Sequence, residues 1–266
     1  GIFASVVTGT LGAGSISFDG AAAIINTGEP VGAMIASLIG AEVSKMISGK
    51  TKVDIVLVPI STILVGGLVA KHVSPYITVA LDYVGDFINM ATELHPIPMG
   101  IIVSVVMGII LTLPISSAAL AISLKLSGLA AGASTVGCAA NMIGFAVASY
   151  RENGIGGFIA QGIGTSMIQM SNIVKNPLIW IPAIVSSAIL GPISSYVLKM
   201  EGNSIGAGMG TSGLVGQFAT IDTMGSSPRV IVLIILMHFV LPVIISFLVS
   251  EWLRKIGWIK KGDMTL

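Results

Sequence analysis

The chain has 266 residues, of which 54% are hydrophobic and 9% charged, with a formal net charge of +1. An average soluble domain carries roughly 25% charged residues, so a soluble enzyme is excluded and an integral membrane protein is expected. A near-neutral chain without a basic patch and interleaved aromatics is not built for nucleic acid, and its one cysteine, Cys138, allows neither an internal disulfide nor paired metal ligands.

Apolar runs of about 20 residues suit a hydrocarbon core about 30 Å thick. In chain order they fall at 1–17, 30–47, 53–70, 98–124, 128–150, 177–198, 205–221 and 230–253. The first run already contains Gly1, so the native N-terminus is expected upstream, and no charged region of a signal peptide precedes it. Cys138, in "TVGCAANMIGF", reads as a small packing residue between helices. The stretch 153–172 is too polar for a span and too apolar for a loop, which predicts a re-entrant or interfacial element.

Cations in short loops mark the cytoplasmic side. Lys45, Lys50 and Lys52, and the tail with Arg254, Lys255, Lys260 and Lys261, are therefore placed inside. Alternation then puts 73–97 outside, with Asp82, Asp86 and Glu93, and Lys125 and Lys199 inside. Arg151, Lys175 and Arg229 fall outside on this scheme, against the rule.

Two glycine-rich headpieces share the pattern G-x-x-[VI]-G-A, "GEPVGA" from Gly28 and "GNSIGA" from Gly202. The match extends to "SVVTGTLG" (5–12) with "IVSSAILG" (184–191), and to "SGKTKVDIVLVP" (48–59) with "GSSPRVIVLIIL" (225–236). On the alternation above, matched segments run in opposite senses, as in transporters built from inverted repeats. The expectation is a single membrane domain over 1–266, with halves at 1–72 and 176–254 joined by 73–175. Its fold class is all-α, a polytopic transmembrane helical bundle with inverted repeats and broken or re-entrant segments.

Six glycines between Gly202 and Gly216 make an ordinary helix over 201–217 costly, at roughly 1 kcal/mol per glycine. Non-helical backbone at membrane depth survives where it lines a pocket. Glu29, an ionisable group at the head of a span, is then the first candidate contact for a polar solute, and Asn203 stands at the matching place in the second headpiece. An alternative for Glu29 is a helix cap ahead of Pro30. Glu93 and His95, in "ATELHPIPMG", set a carboxylate two residues from an imidazole, although a loop or cap explains them as well. Gln161 and Gln169, with Asn153, add amides within 153–172, and Gln217 closes the second headpiece. His238 reads as a hydrogen-bonded residue between helices. No Ser-His-Asp arrangement, P-loop, dinucleotide fingerprint or zinc spacing occurs, so no catalytic residue, metal or cofactor is expected.

The stretches "TGEPVGAMIASLIGAEVSKMISGKTKVDIVLVP", "HPIPMGIIVSVVMGIILTLPISSAALAIS" and "GMGTSGLVGQFATI" resemble the membrane component IIC of bacterial phosphotransferase systems. More narrowly, the chain resembles the stand-alone IIC-like branch that includes the perfringolysin-regulator type proteins. The resemblance implies a homodimeric sugar permease of the bacterial cytoplasmic membrane, with an elevator-like motion and phosphorylation by separate IIB and IIA proteins. Glucose-type members place an acidic residue and a histidine near the sugar, parts that fall here to Glu29 and His95. A secondary transporter of a small polar or anionic solute, or a solute-sensing regulator, satisfies the same residues.

Overall fold

Pro30 opens helix α1 (Pro30–Ile47) at a position where its missing N–H is no loss and its fixed φ suits the first turn. The computed structural model describes residues 16–19, 22–25, 30–50 and 53–266. The chain divides into two compact units, Gly1–Val84 and Gly85–Leu266. Four helices among the described residues are long and apolar enough to cross a membrane. The protein is thus an all-α, multi-pass membrane protein.

In the first unit, Ile16–Asp19 (β1) pairs antiparallel with Ala22–Ile25 (β2), so the end of the first apolar run is extended rather than helical. Helix α2 spans Asp54–Thr92, 39 residues or about 58 Å at 1.5 Å per residue. The expected span at 53–70 and the expected outer segment from 73 are therefore one helix. Lys71 and His72 end the apolar run but not the helix, and Pro75 lies within it. Near its start, Gly40 lets α1 approach the backbone of Thr62, where Ser44, Ser61 and Thr62 form a hydroxyl cluster.

The second unit is organised around α5 (Gly128–Ala148), a span 94% buried in protein. Its glycines explain how so many helices reach it. A Cβ on Gly137 would strike the Ser104 backbone of α3 (Pro96–Thr112), and one on Gly132 would strike the Met200 carbonyl. Small residues permit such close approach in lipid. Hydroxyls then join the helices: Ser104 Oγ donates to Ser187 O (2.8 Å) and Ser187 Oγ to Gly137 O (3.0 Å).

Contact order along α5 sets the directions. α3 runs parallel to it, with Ser104 at Gly137 and Thr112 at Asn141. The span 177–197, whose α-helical part is α8 (Ile181–Pro192), is antiparallel, with Ser187 at Gly137 and Ala183 at Gly144. The last span, α11 (Pro228–Ile235), a π-helical turn at Leu236–Val240 and α12 (Leu241–Lys255), is parallel again. Met237 packs with Val136 and Ala140, and Arg254 donates to the Ala148 carbonyl (2.9 Å).

This arrangement corrects the run expected at 98–124. Pro114 forces Leu113 out of the helical region (φ −72, ψ 157), so α3 stops. The short α4 (Ser117–Ser123), capped by Ser116, leads back towards the start of α5. Residues 92–96, 124–130 and 199–203 consequently gather at the amino end of α5, where Gly202 N donates to Gly128 O (3.1 Å). Residues 148–153, 176 and 254–266 gather at its carboxyl end. The alternation derived from the sequence fails in this unit, because Glu93 and Lys125 share one end and Arg151 shares the other with the basic tail.

Candidate functional site

Two broken segments enter the second unit from opposite ends. From the carboxyl end, α6 (Tyr150–Ile159) bends at Gly154 (φ 59) and leads into a π-helical turn at Ala160–Gly164. A 3-10 turn at Ser166–Gln169 and α7 (Met170–Lys175) lead back. From the amino end come α9 (Ser204–Ala207), a glycine-rich turn and α10 (Val215–Met224). The second is a hairpin, since Glu201 N meets Met224 Sδ and Asn203 Nδ2 meets Asp222 Oδ2 (3.5 Å) at its open end.

The tips touch. Thr211 Oγ1 donates to Gly162 O, and Ser212 Oγ donates to Gly164 O (2.9 Å). Gly210, at φ +53, packs on the Cys138 and Ala139 backbone, and the Cys138 thiol donates to Ala207 O (3.4 Å). Gly210 thus sits halfway along the 21-residue α5, and the tips meet about one turn further on, where Thr211 Oγ1 approaches Met142 Sδ (3.4 Å) and a Cβ on Gly162 would meet Ile143. Gly164 has no atom within 4 Å of a Cβ built on it, and Gly213 (φ +52) has only a Val215 methyl at 3.9 Å. Beside it Leu214 is held at φ 61, a conformation that costs a non-glycine residue about 1–2 kcal/mol. The tips thus offer open backbone, at the end of the π-helical turn and in the glycine-rich turn, flanked by Thr165 and Ser212.

Two polar groups behind the tips carry atoms without a hydrogen-bond partner among the described residues. Asn141 Oδ1 accepts from Thr112 Oγ1 (3.0 Å) and Trp180 Nε1 (3.3 Å), and Thr112 also meets Ser166 Oγ (2.8 Å), but Asn141 Nδ2 is unpartnered. Gln217, on α10, meets His238 Nδ1 of the π-helical turn (2.9 Å), leaving Gln217 Oε1 and His238 Nε2 unpartnered. In either ring tautomer and amide orientation, that pair retains one donor and one acceptor.

A family model described as "Phosphotransferase system, EIIC" matches residues 1–266. The chain belongs to that family. No curated protein and no solved structure matches it. As an EIIC component, it is a membrane-embedded part of a sugar-transporting phosphotransferase system.

The structure separates the residues singled out in this EIIC sequence. Glu29 lies outside the described residues. Asn203 caps α9, accepting from Ile205 N and Gly206 N (3.1 Å each). Glu93 and His95 are exposed at the amino end, beside a cavity of about 360 Å³ lined by Thr92, Lys125 and Ser127, and the His95 ring lies 5.9 Å from Tyr196. Gln161 and Gln169 are buried at the carboxyl end. Gln161 donates to Ser149 Oγ (2.7 Å) and accepts from Gln169, which also donates to Met264 O (2.9 Å). Asn153 likewise binds the tail, donating to Met264 O (2.8 Å). Of the six that are described, Gln217 alone carries an unpartnered atom, next to that of His238. Asn141, Thr112, Ser166 and the tip residues were missed. Asn141 carried a signal, an amide inside the apolar "CAANMIGF", because an unpaired polar group in hydrocarbon is expensive.

Proposed function

We propose that this EIIC chain is a permease for a sugar or polyol, bound where the two broken segments meet. The observation that carries the reading is the contact of Thr211 and Ser212 with Gly162 and Gly164 beside Met142 and Ile143, within the α5 span. Transporter sites are formed near mid-membrane by discontinuous helices whose freed backbone groups face the solute. A sugar hydroxyl both donates and accepts, as the remaining atoms of Gln217 and His238 do. Glu29 is retained as a second contact from the first headpiece, with Asn203 setting the base of the other.

Charge supports an orientation. At the carboxyl end stand Arg151, Lys175, Arg254, Lys255, Lys260 and Lys261 against Glu152, Glu251 and Asp263. The amino end has Lys125, Lys199 and Arg229 against Glu93, Glu201 and Asp222. The carboxyl end is therefore cytoplasmic by the positive-inside rule, which accommodates Arg151 and Lys175. A separate IIB protein would phosphorylate the sugar there. The bacterial inner membrane, a homodimer, an elevator motion and the inverted repeat of 1–72 on 176–254 complete the proposal.

The test is ligand-dependent thermal stability of the detergent-purified protein across sugars, polyols, sugar phosphates and carboxylates. A solute at 100 times its dissociation constant adds roughly 2.7 kcal/mol. Gly164→Leu, projecting into open space, should leave the ligand-free melting temperature unchanged and lower affinity more than about tenfold, a loss of about 1.4 kcal/mol. An unaltered affinity in that variant moves the site away from the tips. A response to carboxylates alone favours a secondary transporter.

A further inference from the structure

We infer that the groove between α6 and α12 is a binding site for an anionic glycerophospholipid. Its volume is about 330 Å³, within the range of ligand pockets, about 300–1,000 Å³. Its walls are Val147, Tyr150, Ile155, Phe158 and Phe247, and none of its lining residues belongs to the hairpin tips. Tyr150 and Phe158 meet edge-on at 84°, with centroids 6.2 Å apart. The Ser250 hydroxyl on its floor is already bonded to Phe247 O (2.9 Å). This lining suits an acyl chain and leaves little to bind a sugar.

The mouth supplies the charge. Arg151 Nη2 meets Glu251 Oε2 at 3.1 Å, with the arginine side chain 61% exposed. An arginine has five N–H donors, so the guanidinium can hold a phosphate oxygen beside Glu251. Lys255 stands one helical turn beyond Glu251, at the end of α12. Lys255, Lys260 and Lys261 have no carboxylate within 4 Å among the described residues, whereas Glu152 and Glu251 are each paired with an arginine. The groove thus opens at the helix end, where headgroups lie, and under the more basic end of the unit. A phosphodiester anchored at Arg151 and Lys255 places its acyl chain along Ile155 and Phe247.

The inference does not depend on the transported solute. It is tested on delipidated protein in detergent, by thermal shift and by native mass spectrometry. The probes are dioleoyl phosphatidylglycerol, dioleoyl phosphatidylcholine and glycerol 3-phosphate. Phosphatidylglycerol should bind about fivefold more tightly than phosphatidylcholine, the preference one lysine or arginine confers at an anionic surface. Lys255→Gln, which leaves the Arg151–Glu251 pair intact, should reduce that preference. Ile155→Trp, at a position 68% exposed, should fill the groove and abolish binding without lowering the melting temperature of the lipid-free protein. Equal binding of the two lipids overturns the inference, as does undiminished binding to Ile155→Trp. A shift with glycerol 3-phosphate as large as with the lipid also overturns it, since an anion site without an acyl groove would suffice.

Discussion

The Gln217–His238 pair and the positive-φ glycines show how much single residues decide. Replacing Gln217 with Leu leaves His238 Nδ1 buried without its partner, at a cost of about 1–3 kcal/mol. Adding His238→Phe should recover part of that loss, because removing both partners is cheaper than orphaning one. A double-mutant cycle by thermal unfolding in detergent would read the coupling. Gly210→Ala should be worse than Gly225→Ala. Both positions have positive φ, but a methyl at 210 would strike the Cys138 and Ala139 backbone, while 225 has open space. Equal melting temperatures would mean that the 204–224 segment does not pack on α5 at Cys138.

The tail, 256–266, acts on the segment that enters from the carboxyl end. Glu152 accepts from Arg254 (3.1 Å), Gly262 N and Met264 N, while Asn153, Gln169 and Asn172 donate to tail carbonyls. Both arms of that segment are tied to one strap, whose Ile259 and Met264 are buried with Phe145 and Ile173. Glu152 and Arg254 are only 3% and 13% exposed. Glu152→Gln therefore orphans a buried guanidinium and should cost about 3 kcal/mol, with faster proteolysis after Lys260 and Lys261. Gln169→Leu removes neutral bonds and should cost less. Gln161 and Gln169 were legible as polar residues in an apolar stretch. Their partners were not, because a side chain's acceptor 95 positions away, as Met264 is from Gln169, leaves no local pattern.

For the whole molecule, the fold of the second unit makes a statement about sidedness that alternating runs got wrong. Single-cysteine variants would test it, since native Cys138 is buried and silent to a polar maleimide. Lys260→Cys should react only in inverted vesicles, and Ser226→Cys only in intact cells. The reverse pattern would place the carboxyl end outside and remove IIB from that face. The alternation failed at 98–124 and again at 205–221, each counted as one crossing, for the second is a hairpin that returns to the amino end. In the first, α3 ends at Leu113 and α4 leads back. An apolar run records contact with lipid or protein, not the number of times the chain crosses.

Composition alone determined the class, because so few charges and such long apolar runs cannot be hydrated as a soluble domain. The stretches quoted for the EIIC resemblance determined the family, and glycine density around 201–217 announced broken backbone, since glycine's helix cost is local. The 18 residues of α1 were also legible to their ends from Pro30 and the apolar run. Only the tertiary structure decided that α5 is the buried axis, that two broken segments meet beside it, and that the described polar candidates divide between its two ends and Gln217. Those outcomes depend on which backbones can approach Gly132, Gly137 and Asn141. Close packing between segments distant in sequence is a property of the assembled helices, with no counterpart in the order of residues along any one of them.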